Sequence, residues 1–259
     1  MRRALILGGL GGLAGWRLAG AQPDAGLHRA SPSVLKVEAG GQASTGFVWP
    51  DADHLVTALH GVDNAGPLVV HEVDAQGRIR ASRQAMVARV LRDADLALLR
   101  LAQPLGGGPL ALSPAPPAVK SELDALGFPL GMPSATNVGL RVRFGGSTLR
   151  SILPPKLQAR VADYPSLALP ILSLEGNLVP GMSGAPLLDG AGRVAGVADG
   201  GLEEGAVGIC WGIPAAQLEA LRQSPDRQLP RSGRVRELFS ADLAADVRPL
   251  PALGEGACA

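Results

Sequence analysis

Short apolar stretches rich in valine, leucine and isoleucine alternate with glycine, proline, aspartate and asparagine from residue 33 onwards. Runs of this kind, separated by turn-forming residues, are typical of β-strands. No helical period of useful length occurs among them. The pattern predicts strands at residues 33–38, 44–49, 54–60, 67–73, 78–91, 96–101, 122–128, 137–144, 171–176, 186–197 and 206–213.

The strand pattern breaks at residues 104–117, PLGGGPLALSPAPP, where proline and glycine dominate. This composition is typical of a connection between two compact units. We therefore predict an all-β protein made of two successive β units, at about residues 33–103 and 118–213.

One hairpin and one helix stand out in the second half of the chain. Residues 187–197, LLDGAGRVAGV, place an Asp-Gly pair and a further glycine between two apolar runs, which predicts a hairpin. Residues 214–221 begin with proline and carry an apolar face, which predicts the one helix of the mature chain. Residues 224–259 are polar and interrupted by prolines, and we interpret them as a tail with a short helix around residues 235–245.

The first residues of the chain are typical of an export signal. Two arginines precede an apolar run over residues 4–16, and Ala19-Gly20-Ala21 has the small-x-small form of a signal-peptidase site. The run is too short to cross a membrane, because a spanning helix needs about 20 apolar residues. We therefore predict a signal peptide at residues 1–21 and a periplasmic or secreted protein without a stable membrane span; the export route, Sec or Tat, stays open.

Composition and charge exclude several classes of protein. A hydrophobic content of 46% excludes a disordered chain. Without residues 1–21 the chain has 21 basic and 23 acidic residues, and the absence of a basic run argues against nucleic-acid binding. Cys210 and Cys258 are the only cysteines, which is too few for a disulfide framework and leaves no metal-ligand spacing with the four histidines. We expect no metal and no organic cofactor.

Ser183 is the strongest candidate for a nucleophile. It lies in PGMSGAPL, residues 180–187, between glycines and just before a predicted strand. Gly181 allows a sharp backbone turn, so that its amide and the amide of Ser183 can point at one spot, as an oxyanion hole requires. An ordinary Gly-Ser turn is the alternative.

A serine nucleophile needs a base, and candidates for it lie in the first half of the chain. His60 ends the apolar run HLVTALHGV, and Asp95 stands in DADLALL just before another apolar run. Taken singly, His60 could be a buried strand-end histidine, and Asp95 a turn aspartate like Asp93. Together with Ser183 they have the order His, Asp, Ser, which is the chain order of the double-barrel proteases.

The same order argues against two other classes of hydrolase. The α/β-hydrolases place their histidine after the serine, whereas no histidine follows His71. A subtilisin-like enzyme would need its aspartate ahead of the histidine and a helix after the serine, but residues 186–188 have the character of a strand.

Five stretches resemble, in order, those of trypsin-like serine proteases of the Deg/HtrA type. They are HLVTALHGV, DADLALLRL, ALGFPLG, VPGMSGAPLLDGAGRVAGV and VGICWGIPAAQLEAL, and they span residues 54–221. The resemblance implies a protease domain at residues 22–223 with a chymotrypsin-like fold, in which two six-stranded antiparallel β-barrels enclose the active site between them.

The resemblance also implies a serine endopeptidase that hydrolyses polypeptide substrates through an acyl-enzyme. His60 would be the general base and Asp95 the acid that orients it. Ser183 would be the nucleophile, and the amides of Gly181 and Ser183 would form the oxyanion hole.

Three residues depart from the family pattern. Met182 replaces the usual Asp or Asn, so activation by a newly cut N-terminus is not expected. Ala185 stands where glycine is common, which requires a negative φ. Asp199 replaces a hydroxyl or other small residue. Because each change could distort the site, an inactive pseudoprotease that binds peptides or a partner is the alternative function.

With Ala259 as the last residue, we expect no PDZ domain of the kind that commonly follows the protease domain in this family. The aromatic-poor N-terminal segment carries no trimerisation signal, which favours a monomer over a trimer.

Residues just before the oxyanion loop line the primary substrate pocket in this fold, and here they are residues 176–179, including Asn177 and Leu178. None is charged, which predicts a preference for small or medium aliphatic residues before the scissile bond. Asp199 is placed at the same pocket. It could instead be a solvated turn residue, or face Asp95 and His60, where a negative charge would favour the imidazolium.

Overall fold

The computed structural model describes residues 25–63, 66–159, 164–202 and 209–230. The predicted signal peptide at residues 1–21 and the predicted helix around residues 235–245 lie outside these ranges. None of the helices within them has the length and apolar character that crossing a membrane requires.

The first half of the chain forms a closed antiparallel barrel. Its strand order is β1-β2-β3-β6-β5-β4, and pairing of β4 with β1 closes it. The strands are β1 (Val34–Ala39), β2 (Gln42–Val48), β3 (His54–Ala58), β4 (Leu68–Val73), β5 (Ile79–Leu91) and β6 (Leu96–Leu101).

The second half forms a second closed barrel with the order β10-β11-β12-β9-β8-β7. The strands are β7 (Glu122–Gly127), β8 (Thr136–Thr148), β9 (Pro170–Glu175), β10 (Pro186–Leu188), β11 (Val194–Leu202) and β12 (Ile209–Pro214). Both barrels have six strands and every strand pair in them is antiparallel, so the predicted chymotrypsin-like fold is confirmed.

Strands β3 and β6 are buried on both faces over most of their length, which explains their largely apolar sequences; the half-exposed His54 and the exposed Arg100 lie towards one end of each. Leu55 and Leu99 point into the interior of the first barrel. Their neighbours Val56 and Leu98 belong to a second cluster shared with the other barrel. Because successive side chains of a strand point to opposite faces, a strand covered on both sides needs apolar residues at every position.

The predicted short C-terminal helix is confirmed, but it is not the one helix of the mature chain. The described residues include four, α1 (Ala25–Ala30), α2 (Leu149–Ile152), α3 (Pro155–Gln158) and α4 (Gln217–Gln223). The first three have six residues or fewer, too few for an apolar period to show. Helix α4 begins later than predicted because strand β12 continues to Pro214.

The segment after α4 stays in contact with the first barrel. The Ser224 hydroxyl donates to the Val90 carbonyl at 2.5 Å, and the Val90 amide donates to the Asp226 carbonyl at 2.9 Å. The Arg92 guanidinium pairs with the Asp226 carboxylate at 2.8 Å. Helix α4 and the residues that follow therefore connect the end of the second barrel to the first.

Helix α4 should contribute to stability through its buried leucines. Leu221 is fully buried in the cluster shared by the barrels, so Leu221→Ala should lower the free energy of unfolding by about 2–5 kcal/mol. The neighbouring Arg222 is half-exposed and pairs with Glu219 at the surface, so Arg222→Ala should leave the free energy of unfolding nearly unchanged. Urea unfolding measures both, and equal losses would contradict the packing role of α4.

Candidate active site

His60 reaches the cleft from a short turn rather than from a strand. Strand β3 ends at Ala58, and His60 lies in a single 3-10 turn over Leu59–Gly61. The side chain is buried, with 5% of its surface exposed. The turn projects the imidazole out of the strand plane toward the second barrel.

Asp95 occupies a left-handed backbone conformation, φ 53° and ψ 39°, immediately before β6. Aspartate tolerates this region better than most residues. Its carbonyl accepts the Leu59 amide at 2.8 Å, which joins the Asp95 turn to the turn that holds His60. The Asp95 carboxylate accepts the His60 backbone amide at 2.9 Å and faces the His60 Nδ1 at 2.5 Å.

Ser183 completes a line of hydrogen-bonded groups across the two barrels. Its Oγ lies 2.9 Å from the His60 Nε2 and 3.3 Å from the carbonyl of Asp199. The sequence singled out His60, Asp95 and Ser183 separately, and the fold brings their side chains together although 123 residues separate the histidine from the serine.

The turn around Ser183 depends on the glycines on either side of it. Gly181 has φ +93° and Gly184 has φ +85°, a region that other residues rarely adopt. A Cβ at Gly181 would collide with the carbonyl of Phe128, and one at Gly184 with the carbonyl of Thr45. Ala185, in contrast, is not among the residues with positive φ. Alanine can therefore stand at this position, where glycine is common in the family.

The amides of Gly181 and Ser183 are available for a ligand oxygen. The Pro180 carbonyl accepts the Leu130 amide at 2.6 Å, which fixes the peptide between Pro180 and Gly181 in one orientation. Within the described part of the chain, no acceptor takes up the amides of Gly181 and Ser183. Two free amides beside a serine hydroxyl have the form of an oxyanion hole.

Thr45 joins this loop to the first barrel. Its hydroxyl donates to the Gly181 carbonyl at 2.7 Å and accepts the Phe128 amide at 3.0 Å. Its backbone amide donates to the Ser183 carbonyl at 3.0 Å. Thr45 is fully buried in β2, so these bonds are shielded from water. Thr45 was not among the predicted site residues, since a threonine within a strand carries no local signal of such a role.

Asp199 lies in β11 at a β-bulge. Ala198 pairs with Gly212 and Gly200 with Trp211, so Asp199 is the extra residue between them. Bulges beside active sites redirect a side chain in this way. The Asp199 carboxyl accepts the Trp211 indole N–H at 2.7 Å, and its other oxygen lies 4.0 Å from the His60 Nδ1. The side chain therefore faces His60, as one of the three sequence-based alternatives had it, and is not a solvated turn residue.

Two buried carboxyls thus lie next to one imidazole. Burial raises the pKa of Asp95, while hydrogen bonds with the Asp199 side chain and the His60 amide oppose the rise. Burial also raises the pKa of Asp199, and the negative charge of Asp95 raises it further. The pair consequently binds a proton far more tightly than exposed aspartates do.

A small pocket opens beside Ser183. It is lined by Leu178, Val179, Pro180, Ser183, Asp199, Gly200 and Gly201. Its free volume of about 20 Å³ holds about one water molecule, so the pocket is nearly closed. Of the residues predicted for it, Leu178 and Asp199 line it and Asn177 does not.

Among the residues that the structure describes, two groups of three side chains have possible metal-ligand atoms within 4.8 Å of one another. In the first, the His54 Nδ1 already contacts the carboxylates of Asp51 and Asp53 at 2.6 and 3.1 Å. The second is the buried set of His60, Asp95 and Asp199. The His60 imidazole contacts Asp95 through Nδ1 and Ser183 through Nε2. In both groups the histidine nitrogen next to the carboxylates already takes part in a hydrogen bond, whereas a metal ligand must offer its lone pair to the ion.

A protein-family model matches the part of the chain that contains His60, Asp95 and Ser183. The model described as "Trypsin-like peptidase domain" matches residues 44–197, more than half of the chain. The chain belongs to the trypsin-like peptidase domain family. Among curated relatives of this trypsin-like domain, HhoA of Synechocystis sp. is 27% identical over 193 residues, which are 71% of the chain and 43% of HhoA. The chloroplastic Protease Do-like 1 of Arabidopsis thaliana is 28% identical over 170 residues, 63% of the chain and 34% of that protein.

Solved structures show the same fold. The active form of the Rv3671c protease from M. tuberculosis is 20% identical, with a TM-score of 0.63 over 81% of the chain and 88% of that structure. Deg5 is 24% identical, with a TM-score of 0.57 over 75% of the chain and 89% of that structure. The predicted resemblance to the Deg/HtrA type is confirmed. The chain spans less than half the length of the two curated relatives.

Thr45 provides a test of how the barrels are joined. Thr45→Val removes the hydroxyl and leaves the buried Gly181 carbonyl and Phe128 amide without it, which should lower the free energy of unfolding by about 2 kcal/mol. Thr45→Ser keeps the hydroxyl and should cost less than half of that. Urea unfolding and hydrogen exchange at the Phe128 amide measure the effect. A valine variant as stable as the serine variant would show that the hydroxyl does not join the barrels.

Proposed function

We propose that the protein is a serine endopeptidase that cleaves polypeptides through an acyl-enzyme. The observation that carries the proposal is the line from Asp95 through His60 to Ser183, with contacts of 2.5 and 2.9 Å. Membership of the trypsin-like peptidase domain family supports it.

In the proposed mechanism the Ser183 Oγ attacks the carbonyl carbon of the scissile peptide bond. The His60 Nε2 takes the serine proton, while Asp95 holds the imidazole through Nδ1 and stabilises the imidazolium that forms. The imidazolium then gives its proton to the leaving amine, which departs and leaves an ester on Ser183. A water molecule, deprotonated by His60, hydrolyses that ester and restores the hydroxyl.

The negative oxygen of the tetrahedral intermediate would accept hydrogen bonds from the Gly181 and Ser183 amides. A donor of this kind contributes about 3–4 kcal/mol to the transition state. Thr45 supports the arrangement, since its hydroxyl holds the Gly181 carbonyl on the opposite side of the loop.

The alternative, a pseudoprotease that only binds peptides or a partner, rested on three departures in the sequence. Ala185 does not adopt a positive φ, and Met182 is buried in the interior of the second barrel. Both observations support an undistorted loop. The third residue, Asp199, faces His60.

The polypeptide substrates, the periplasmic or secreted location and the monomeric state belong to this proposal. The location rests on the export-signal features of residues 1–21, and the monomeric state on the lack of a trimerisation signal. The near-neutral charge argues against a nucleic-acid partner. Nucleic acid is not an expected partner.

A fluorophosphonate probe tests the mechanism. The protein should become labelled at Ser183, and Ser183→Ala should abolish labelling. Turnover of a casein or peptide substrate should fall by about 10⁴-fold in both Ser183→Ala and His60→Ala, because nucleophile and base act as a unit. Folded protein that keeps its thermal unfolding transition but takes up no probe would favour the pseudoprotease.

Cleavage of a peptide library tests specificity. The pocket beside Ser183 has leucine, valine, proline and glycine on its walls, and its one acid is buried and engaged by Trp211. We expect cleavage after small or medium aliphatic residues, because a buried lysine or arginine would lack a counter-ion. Leu178→Asp should raise the share of cleavage after basic residues, whereas Leu178→Ala should not. Dominant cleavage after arginine or lysine by the unmodified protein would contradict the assignment.

A further inference from the structure

Asp199 places a second carboxyl at the candidate active site, in addition to that of Asp95. The residue is 2% exposed, and the bulge in β11 directs its side chain toward His60. One ligand atom from each of Asp199, Asp95 and His60 lies within 4.8 Å of the others. Two carboxylates this close in a buried site repel each other strongly.

The hydrogen-bond donors around the two carboxyls are unevenly shared. Asp95 accepts two N–H groups, the backbone amide and the Nδ1 of His60. Asp199 accepts one, from the Trp211 indole, on its Oδ2. No N–H or O–H donor of the described residues reaches its buried Oδ1. Asp95 is therefore the better-stabilised anion of the two.

Other charges near the pair also disfavour a second anion. Asp63 adds its negative charge to the surroundings of Asp95, and the Tyr164 hydroxyl donates to Asp63 at 2.8 Å. Within the described ranges, no lysine or arginine forms an ion pair with Asp95 or Asp199. His60 is thus the only basic side chain described as pairing with them.

A proton on the Asp199 Oδ1 resolves both difficulties. It removes one of the two charges and gives the Oδ1, which has no donor among the described residues, a proton that it can donate to the neighbouring Asp95 carboxylate. We propose that Asp199 is a neutral carboxylic acid that donates a hydrogen bond to Asp95 and so acts as a positioning residue for His60. The proton stays on Asp199, the negative charge on Asp95, and His60 faces a single negative charge. This role deepens the proposed function and rests on it for the catalytic part played by His60.

The titration of His60 separates a neutral Asp199 from a charged one. A carboxylate about 4 Å away would raise the midpoint of the imidazole by about one to three pH units, so removing it would lower the midpoint by as much. Asp199→Asn keeps an acceptor for Trp211 and a donor for Asp95 without any charge. If Asp199 is neutral, we expect the His60 midpoint measured by NMR to agree within about 0.3 units between the unmodified protein and Asp199→Asn.

A drop of about one unit or more in Asp199→Asn would overturn the proposal, because it would show that a negative charge had been removed. Asp199→Ser, which keeps a hydroxyl donor, is the second variant should the asparagine protein fail to fold. The same drop in that variant would have the same meaning.

The positioning role has its own readout, the pH dependence of the rate of fluorophosphonate labelling. At neutral pH, Asp199→Asn should label within about threefold of the unmodified protein, with an unchanged acid limb. Asp199→Ala, which has no donor for Asp95, should label at least about tenfold more slowly. Equal rates for the alanine variant and the unmodified protein at every pH would refute the positioning role.

The two proposals fail in different ways. Absence of labelling in the unmodified protein would refute the endopeptidase and with it the positioning role, whereas the NMR titration would still decide whether Asp199 is neutral. Labelling that depends on Ser183, combined with a lowered His60 midpoint in Asp199→Asn, would leave the endopeptidase standing and overturn the inference about Asp199.

Discussion

The contact of strand β2 with the loop before β10 is the interaction on which the site depends. His60 and Asp95 belong to the first barrel, whereas Ser183, Asp199 and Trp211 belong to the second. The contact of 2.9 Å between the His60 Nε2 and the Ser183 Oγ requires the barrels to be held in one relative position. Hydrogen bonds weaken steeply with distance and angle, so apolar packing alone would not suffice. The buried hydroxyl and amide of Thr45 supply directional bonds at this junction.

The all-β class and the division into two units follow from local features, the spacing of apolar runs and the break at residues 104–117. Closure of each sheet into a barrel does not follow from local features. It depends on pairing of β4 with β1 and of β7 with β10, which are far apart along the chain. Only the resemblance to a family supplied that part of the prediction. The short helices were missed because four to six residues carry no period.

The site residues differ in how much of their role is local. Ser183 was recognisable from its glycines, and His60 and Asp95 from their places beside apolar runs and from their order. Thr45 looks like any strand residue, and its role arises only where β2 meets the oxyanion loop. The orientation of Asp199 depends on a bulge relative to β12, a property of the strand pair that one strand alone does not encode.

A buried acid beside the histidine also links stability to pH. A carboxyl whose pKa is raised in the folded state stabilises the fold fully at pH values below its usual pKa, and this contribution is lost as pH rises through the raised value. Asp226 has the opposite effect, because a hydrogen bond from the Gln228 amide and the charge of Arg92 lower its pKa. Its contribution is lost as pH falls. If His60 is the base and Asp199 the neutral acid that we propose, a rise in pH frees His60 to act while it favours loss of the proton on Asp199. The proposed activity and the stability of the site would therefore respond to pH in opposite directions.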